Sequence, residues 1–384
     1  MKKCGIVPCV LGFTALLVVS GAGWAALPNY SPPTTTQMRV HYIDVGQGSA
    51  VLAEFACGTV LIDTGGEKHA HFDSTARLTN YLDAYFARRT DRDRTIDLLI
   101  LTHAHIDHTR GVPTVLQKYK VRNIVDNGLE AGSGGSQQKA AHRKVLESNG
   151  AIKYQAVAEK QITDLSGMTN DVIDPIGKCS GGTDPKIMAL WGALDPTRGW
   201  TETILKNGNN SSVVVRLEFG KAVFLFPGDL EDEVQGDLLD FYAEGCTTRC
   251  MLDVDVYQVS HHGSHNGTSA EFIEAMKPKI AAISMGSRFR REPWTAYAHG
   301  HPRQSIIKEL LDPEHGVTTK RAVARKVFVA RRGASKRARP AGAPRPDSQF
   351  VSMNMENEIY GTGWDGAFVI NAQSDGALKV DTEK

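Results

Sequence analysis

The feature that most constrains the 384-residue chain is an apolar run at 98–101 that ends in Thr102-His103-Ala104-His105-Ile106-Asp107-His108. A buried strand that ends in three imidazoles and a carboxylate offers a donor set suited to zinc, manganese or iron. His103 and His105, two apart, can face one metal from the strand end. Asp107 and His108 fall on the following turn, where they can face a second. Two further segments extend the set. Phe224-Leu225-Phe226 leads through Pro227 and Gly228 into Asp229, a carboxylate placed to bridge two metals. Val259-Ser260-His261-His262-Gly263-Ser264 sets two imidazoles just beyond another strand. An Asp after Gly is by itself most often a turn residue, and a lone His pair is weak. Beside the 103–108 run, both complete a ligand count.

Composition bears on where such a site would work. Apolar residues make up 41% and charged residues 23% of the chain, as in soluble globular proteins. The net charge of +1 gives no global field towards nucleic acid or membrane. Lys2 and Lys3 precede a mostly apolar stretch at 6–19, and Gly23 and Ala25 stand at −3 and −1 of a cut after Ala25. Residues 1–25 therefore read as a secretory signal, which predicts a secreted or periplasmic protein with no stable membrane span after cleavage. An uncleaved anchor is the alternative, for which the apolar run is short. Beyond the signal, Cys57, Cys179, Cys246 and Cys250 make an even count where disulfides persist. Cys246 and Cys250 can pair with each other; one CxxxC without a second pair is weak evidence for a metal.

Residues 26–37, rich in Pro and Thr, read as a linker, and 38–312 as the main domain. Short strands are predicted at 38–44, 50–55, 59–63 and 96–102, with helices at 74–88 and 112–119. A hairpin at 212–218 and 222–226 turns at Gly220. A helix at 231–242, a strand at 254–260, a helix at 270–276 and a strand at 280–284 follow. The stretch 131–208 holds a glycine-rich loop, a helix near 138–148, and long Gly/Pro/Asp-rich segments of the kind that shape clefts. Residues 313–350 read as a basic, flexible insertion: 320–345 holds ten Lys or Arg and no acidic residue. Its alternative reading is a nucleic-acid arm, which lacks an accompanying aromatic platform. Residues 351–384 read as strands completing the domain, at 358–370 and 378–380.

These segments resemble the metallo-β-lactamase superfamily, and within it the hydrolase domain of ComEC-type competence proteins. The resemblance spans about 39–310 and rests on His41-Tyr42-Ile43-Asp44-Val45-Gly46-Gln47-Gly48, Leu61-Ile62-Asp63-Thr64-Gly65, the 103–108 run, Pro227-Gly228-Asp229, Ser260-His261-His262-Gly263-Ser264 and His301-Pro302. Ile359-Tyr360-Gly361-Thr362-Gly363 with Asp365-Gly366 adds to it, and bacterial phosphorylcholine esterases share much of the pattern. It implies an αββα sandwich of mixed α/β (α+β) class with two divalent ions, zinc or manganese, at one sheet edge. His103 and His105 are then ligands of the first ion, Asp107, His108 and His262 of the second, and Asp229 the bridge. By the same likeness Asp63 holds the 103–108 loop through hydrogen bonds, and Asp44 acts similarly or as a turn residue. One departure stands out. The third His of the first site, expected about nineteen residues before the bridging Asp, is Asn210 here. Asn is a poor zinc ligand, which argues against a typical zinc β-lactamase.

The expected chemistry is hydrolysis by a metal-held hydroxide, with Asp107 in the centre and His261 or His301 protonating the leaving group or binding a phosphate oxygen. Asn210 and Ser264 are candidate substrate contacts; for Ser264, capping the next helix is the competing role. The leading substrate is a phosphodiester, with DNA among the candidates. A phosphorylcholine-type ester and a lactone or β-lactam follow, and a metal-binding module without turnover is the rival outside enzymology.

Overall fold

The strands alternate their apolar side chains between two environments. In Ala222–Phe226, Ala222, Phe224 and Phe226 face one core while Val223 and Leu225 face another. In Thr95–Ile100, Leu98 and Ile100 join the first core and Ile96 and Leu99 a third. Strands buried on both faces read as continuous apolar runs because helices cover the outer face. Burying each such side chain is worth about 1.5–3 kcal/mol before entropy is charged against it.

The computed structural model describes residues 31–243, 250–331 and 349–384, together with Met1. Nearly all of the expected signal, residues 26–30 of the expected linker, Cys246 and residues 332–348 of the expected insertion therefore lie outside the described residues. Eight strands form one sheet, in the order Leu378–Thr382, Phe368–Gln373, Gln37–Tyr42, Val51–Glu54, Thr59–Ile62, Thr95–Ile100, Lys120–Asp126 and Lys153–Ala156. Six form a second: Ile359–Gly361, Ile280–Ile283, Val256–Gln258, Ala222–Phe226, Val214–Phe219 and Pro185–Trp191. The core between them takes residues from both, among them Val40, Val60, Leu217 and Phe224. Helices Ser74–Arg88, Val112–Lys118 and Gly135–Glu147 cover the outer face of the first sheet. Asp232–Ala243, Ala270–Met276 and Gln304–Leu310 cover the second. The result is the αββα sandwich. Among the described residues no helix is long and apolar enough to cross a membrane.

Thr59–Ile62 runs parallel to Thr95–Ile100, and Ala222–Phe226, Val256–Gln258 and Ile280–Ile283 run parallel to one another. Parallel neighbours deliver their C-terminal loops to one edge, and these loops carry Asp63, the 103–108 run, Asp229 and His261-His262. At the other end of Thr59–Ile62, Cys57 forms a disulfide with Cys179, joining the two sheets' loops. Cys250 is also disulfide-bonded.

One expectation is corrected. Part of the stretch expected to be a flexible insertion is an eleven-residue strand, Lys320–Ala330, paired antiparallel with Phe350–Asn357. Val327 and Val329 turn into the second core, while Arg321 and Arg325 pair with the buried Asp365, so apolar alternation outweighs the charge. In the region 358–370 the turn between the strands Ile359–Gly361 and Phe368–Gln373 is helical, Thr362–Asp365.

Candidate metal centre

The 103–108 run leaves its strand and turns into the short helix Ile106–Thr109. Asp63 holds this turn. Its Oδ1 accepts from the Thr102 backbone N–H at 2.9 Å, Thr102 Oγ1 donates to the same carboxylate, and His108 Nδ1 donates to Oδ2 at 2.7 Å. His262 is oriented the same way, donating from Nδ1 to the Ser284 carbonyl at 2.6 Å. Anchoring the Nδ1 side of each ring points both Nε2 atoms into one space, where they lie 3.2 Å apart. Asp229 Oδ1 is 3.1 Å from His108 Nε2 and its Oδ2 is 3.5 Å from His262 Nε2; Asp107 Oδ2 is 3.4 Å from His262 Nε2. One ligand atom from each of Asp107, His108, Asp229 and His262 falls within 4.8 Å of the others.

Backbone strain concentrates here. Asp63, His261 and His262 have φ of 59°, 49° and 55°, in the left-handed region that residues other than glycine rarely adopt. Gly228, at φ 61°, passes so close to Thr102 and Ser212 that a Cβ would sit 2.9 and 3.0 Å from their Cβ atoms. The glycine-rich loop at 132–135 is explained by the same crowding: a Cβ on Gly134 would stand 2.1 Å from Thr109 Oγ1.

Burial disfavours charge on these groups, yet they charge one another. Against burial, Asp229 and Asp63 raise His108 well above its ordinary range, and Asp229 and Asp107 push His262 up to about 10. Burial would likewise raise Asp229 and Asp107, but His108 and His262 hold both below the carboxylate range. The protons that compensate these carboxylates occupy the positions a divalent cation takes when it binds.

His103 adjoins the cluster, its ring 4.2 Å from that of His108 and 4.6 Å from that of His105. Its Nε2 lies 3.9 Å from Asp229 Oδ2, buried and without a hydrogen-bond partner. A buried imidazole nitrogen without a partner, beside a carboxylate, is a donor suited to a divalent cation. Asp107, His108, Asp229 and His262, with His103 beside them, thus fit a divalent cation by chemistry and placement.

His261 and His301 line the same space, with ring centroids 5.9 Å apart and His301 6.3 Å from His262. Asn210 is fully buried in the 3-10 turn Gly208–Ser211, its Nδ2 donating to the Ile204 carbonyl and its Oδ1 without a partner. Ser264 does not cap the next helix. Its hydroxyl donates to Asn266 at 2.8 Å, and Ser269 caps the helix Ala270–Met276, because the turn bends back on itself before the helix starts. Asp44 anchors a loop, accepting from Arg77 and Arg290 at 3.2 Å each.

Two residues went unassigned in the sequence. Glu231 accepts from Asn207 and Asn209 at 2.8 and 2.7 Å and lies 3.5 Å from His261 Nδ1, tying the Asn210 turn to the Asp229 loop. Its place two residues after Asp229 was the available signal. Gln47 donates its amide to His301 Nδ1 at 3.1 Å, from a glycine-flanked turn 254 residues away.

The ComE operon protein 3 of Bacillus subtilis is 27% identical over 294 residues, covering 73% of this chain and 31% of that protein. Recombination protein 2 of Haemophilus influenzae is 24% identical over 309 residues, covering 80% and 29%. The chain thus spans about a third of the length of these curated relatives. The solved metallo-beta-lactamase fold protein YhfI from Bacillus subtilis aligns at 12% identity and a TM-score of 0.34, over 64% of this chain and 85% of that one. The profile of the metallo-beta-lactamase superfamily matches residues 43–287, well over half of the chain, and the chain belongs to that superfamily.

Proposed function

We propose that this chain is an exported, metal-dependent phosphodiesterase that acts on nucleic acid. The observation that carries the reading is the convergence of Asp107, His108, Asp229 and His262, with the orphaned Nε2 of His103 beside them. Divalent cations held there supply, when bound, a nucleophile at neutral pH and neutralisation of phosphoryl charge. The protein's own residues do the rest. Asp63 and the Ser284 carbonyl fix the imidazoles that bind the cations. The Gln47 amide occupies His301 Nδ1, which puts the ring proton on Nε2, where it can donate a hydrogen bond to a phosphate oxygen. Glu231 steadies His261 on the other side.

A relative named for recombination supports nucleic acid as the substrate. Asn210, where a third imidazole is expected, supports an ion that accepts oxygen donors, and so manganese over zinc in the first position. The Cys57–Cys179 disulfide supports export to an oxidising compartment.

The test is the metal content of the purified protein together with hydrolysis of bis-p-nitrophenyl phosphate under added manganese or zinc. Two bound ions are expected, with turnover lost in a His105→Ala, Asp107→Ala double variant. A metal-free protein with no turnover under either ion overturns the reading and leaves a binding module.

A further inference from the structure

The loop between the strand Ile280–Ile283 and His301 carries Arg288, Phe289, Arg290, Arg291 and Trp294, with Glu292 the sole acidic residue from 287 to 301. Phe289 and Trp294 are 66% and 78% exposed. Water is a poor place for an indole, and Trp294 is also held at φ 62°, a conformation a bulky side chain adopts only where its surroundings impose it.

The surroundings do impose it. Arg290 lies over the Phe72 ring at 3.9 Å and pairs with Asp44. Arg288 lies over Phe328, on the hairpin strand Lys320–Ala330, at 3.6 Å. Thr295 donates to the Glu292 carbonyl and accepts from Ala298 N–H, fixing the turn on either side of Trp294. From the exposed indole a file of rings leads inward: His299 at 6.0 Å, His301 a further 5.5 Å on, and then the ligand His262 at 6.3 Å.

We propose that Trp294, flanked by Arg288 and Arg291, is a stacking platform for an unpaired base of a single-stranded nucleic acid, whose backbone then passes His299 and His301 to reach the metal centre. The proposal rests on the phosphodiesterase reading and adds to it a binding site and a strand preference. An exposed indole accepts the face of any base, and the arginines carried on the same loop can meet the phosphates. In a duplex those faces are covered by neighbouring bases. A tryptophan among arginines also suits an anionic membrane surface, but a membrane contact would not need a file of rings leading from it to the metal ligands.

The experiment titrates the metal-loaded full chain with a hydrolysis-resistant phosphorothioate oligonucleotide, single-stranded and as a duplex. The single strand is expected to bind at least about tenfold more tightly. Trp294→Ala should weaken it by about five- to a hundredfold, the range one base–aromatic stack supplies, and Trp294→Phe should restore most of the affinity. Unchanged binding in Trp294→Ala, or equal binding of duplex and single strand, overturns the platform. So does capture by phosphatidylserine vesicles that depends on Trp294 while the oligonucleotide does not bind. If wild-type protein binds the single strand through Trp294 but does not hydrolyse bis-p-nitrophenyl phosphate, the platform stands and the phosphodiesterase reading falls.

Discussion

Asp63 shows how much of the centre depends on a residue that holds no metal. Three donors converge on its carboxylate, and one of them is the ring that must present Nε2 to the cation. Asp63→Asn keeps the shape but turns an acceptor towards a donor, so metal affinity should fall about 10–100-fold, measured by competition with a chromogenic chelator. A second residue can be read by pH. His142 donates to Asp126 and Glu130 at 2.8 Å each, and the Asp126 hydrogen bond leads in raising it from 6.5 to about 9. A raised folded-state pKa stabilises fully below 6.5 and is lost as pH climbs through about 9. After allowance for partial exposure, about 1–3 kcal/mol of stability should disappear across that window. Urea melts at about pH 6 and pH 10 check it: the wild type should lose more than His142→Gln, and equal losses would remove His142 as the cause.

At the scale of elements, what matters is which end of a strand a loop leaves from. Asp63 and Cys57 flank one short strand, Thr59–Ile62, and serve opposite ends of the sandwich. The disulfide closes a separation of 122 residues, so a Cys57→Ser, Cys179→Ser variant should lose about 2–5 kcal/mol in denaturant melts while still binding metal at the distant edge. Loss of metal without loss of stability would show that the two ends are not independent. The hairpin of Lys320–Ala330 with Phe350–Asn357 carries a related lesson. A run of cations looks solvated until the alternate valines between them find a core, and Asp365 then takes up two of the arginines.

Over the whole molecule, each sheet supplies half of the centre. His103, His105, Asp107 and His108 follow a strand of the eight-stranded sheet, while Asp229 and His262 follow strands of the six-stranded one. A cation bound between them therefore ties the two sheets together and stabilises only the folded state. Metal at about a hundredfold above its Kd should add about 2.7 kcal/mol. Calorimetry before and after chelation should show Tm falling by a few degrees and recovering on readdition; an unchanged Tm would mean the ligands do not bind metal across the sheets.

The sequence by itself determined the donors that lie close together along the chain: a strand that stops, then His103 to His108 on one turn, and carboxylate and imidazole ends at Asp229 and His262. It also determined most helices and strands, because their apolar periods are strong. Lys153–Ala156 and Pro185–Trp191 escaped, since the first has four residues, too few to show a period, and the second opens on a proline inside a long Gly, Pro and Asp-rich stretch. Only the tertiary structure decided that Gln47 meets His301, that Glu231 and two asparagines brace His261, that Ser264 turns to Asn266, and that Trp294 stands in solvent at the end of a file of rings. The pairing of Gln47 with His301 joins residues 254 apart, and even the turn of Ser264 to Asn266 depends on how its loop is folded. Chain spacing encodes what a strand or a turn can present, whereas the partner across a gap of two hundred residues is set by how two twisted sheets pack.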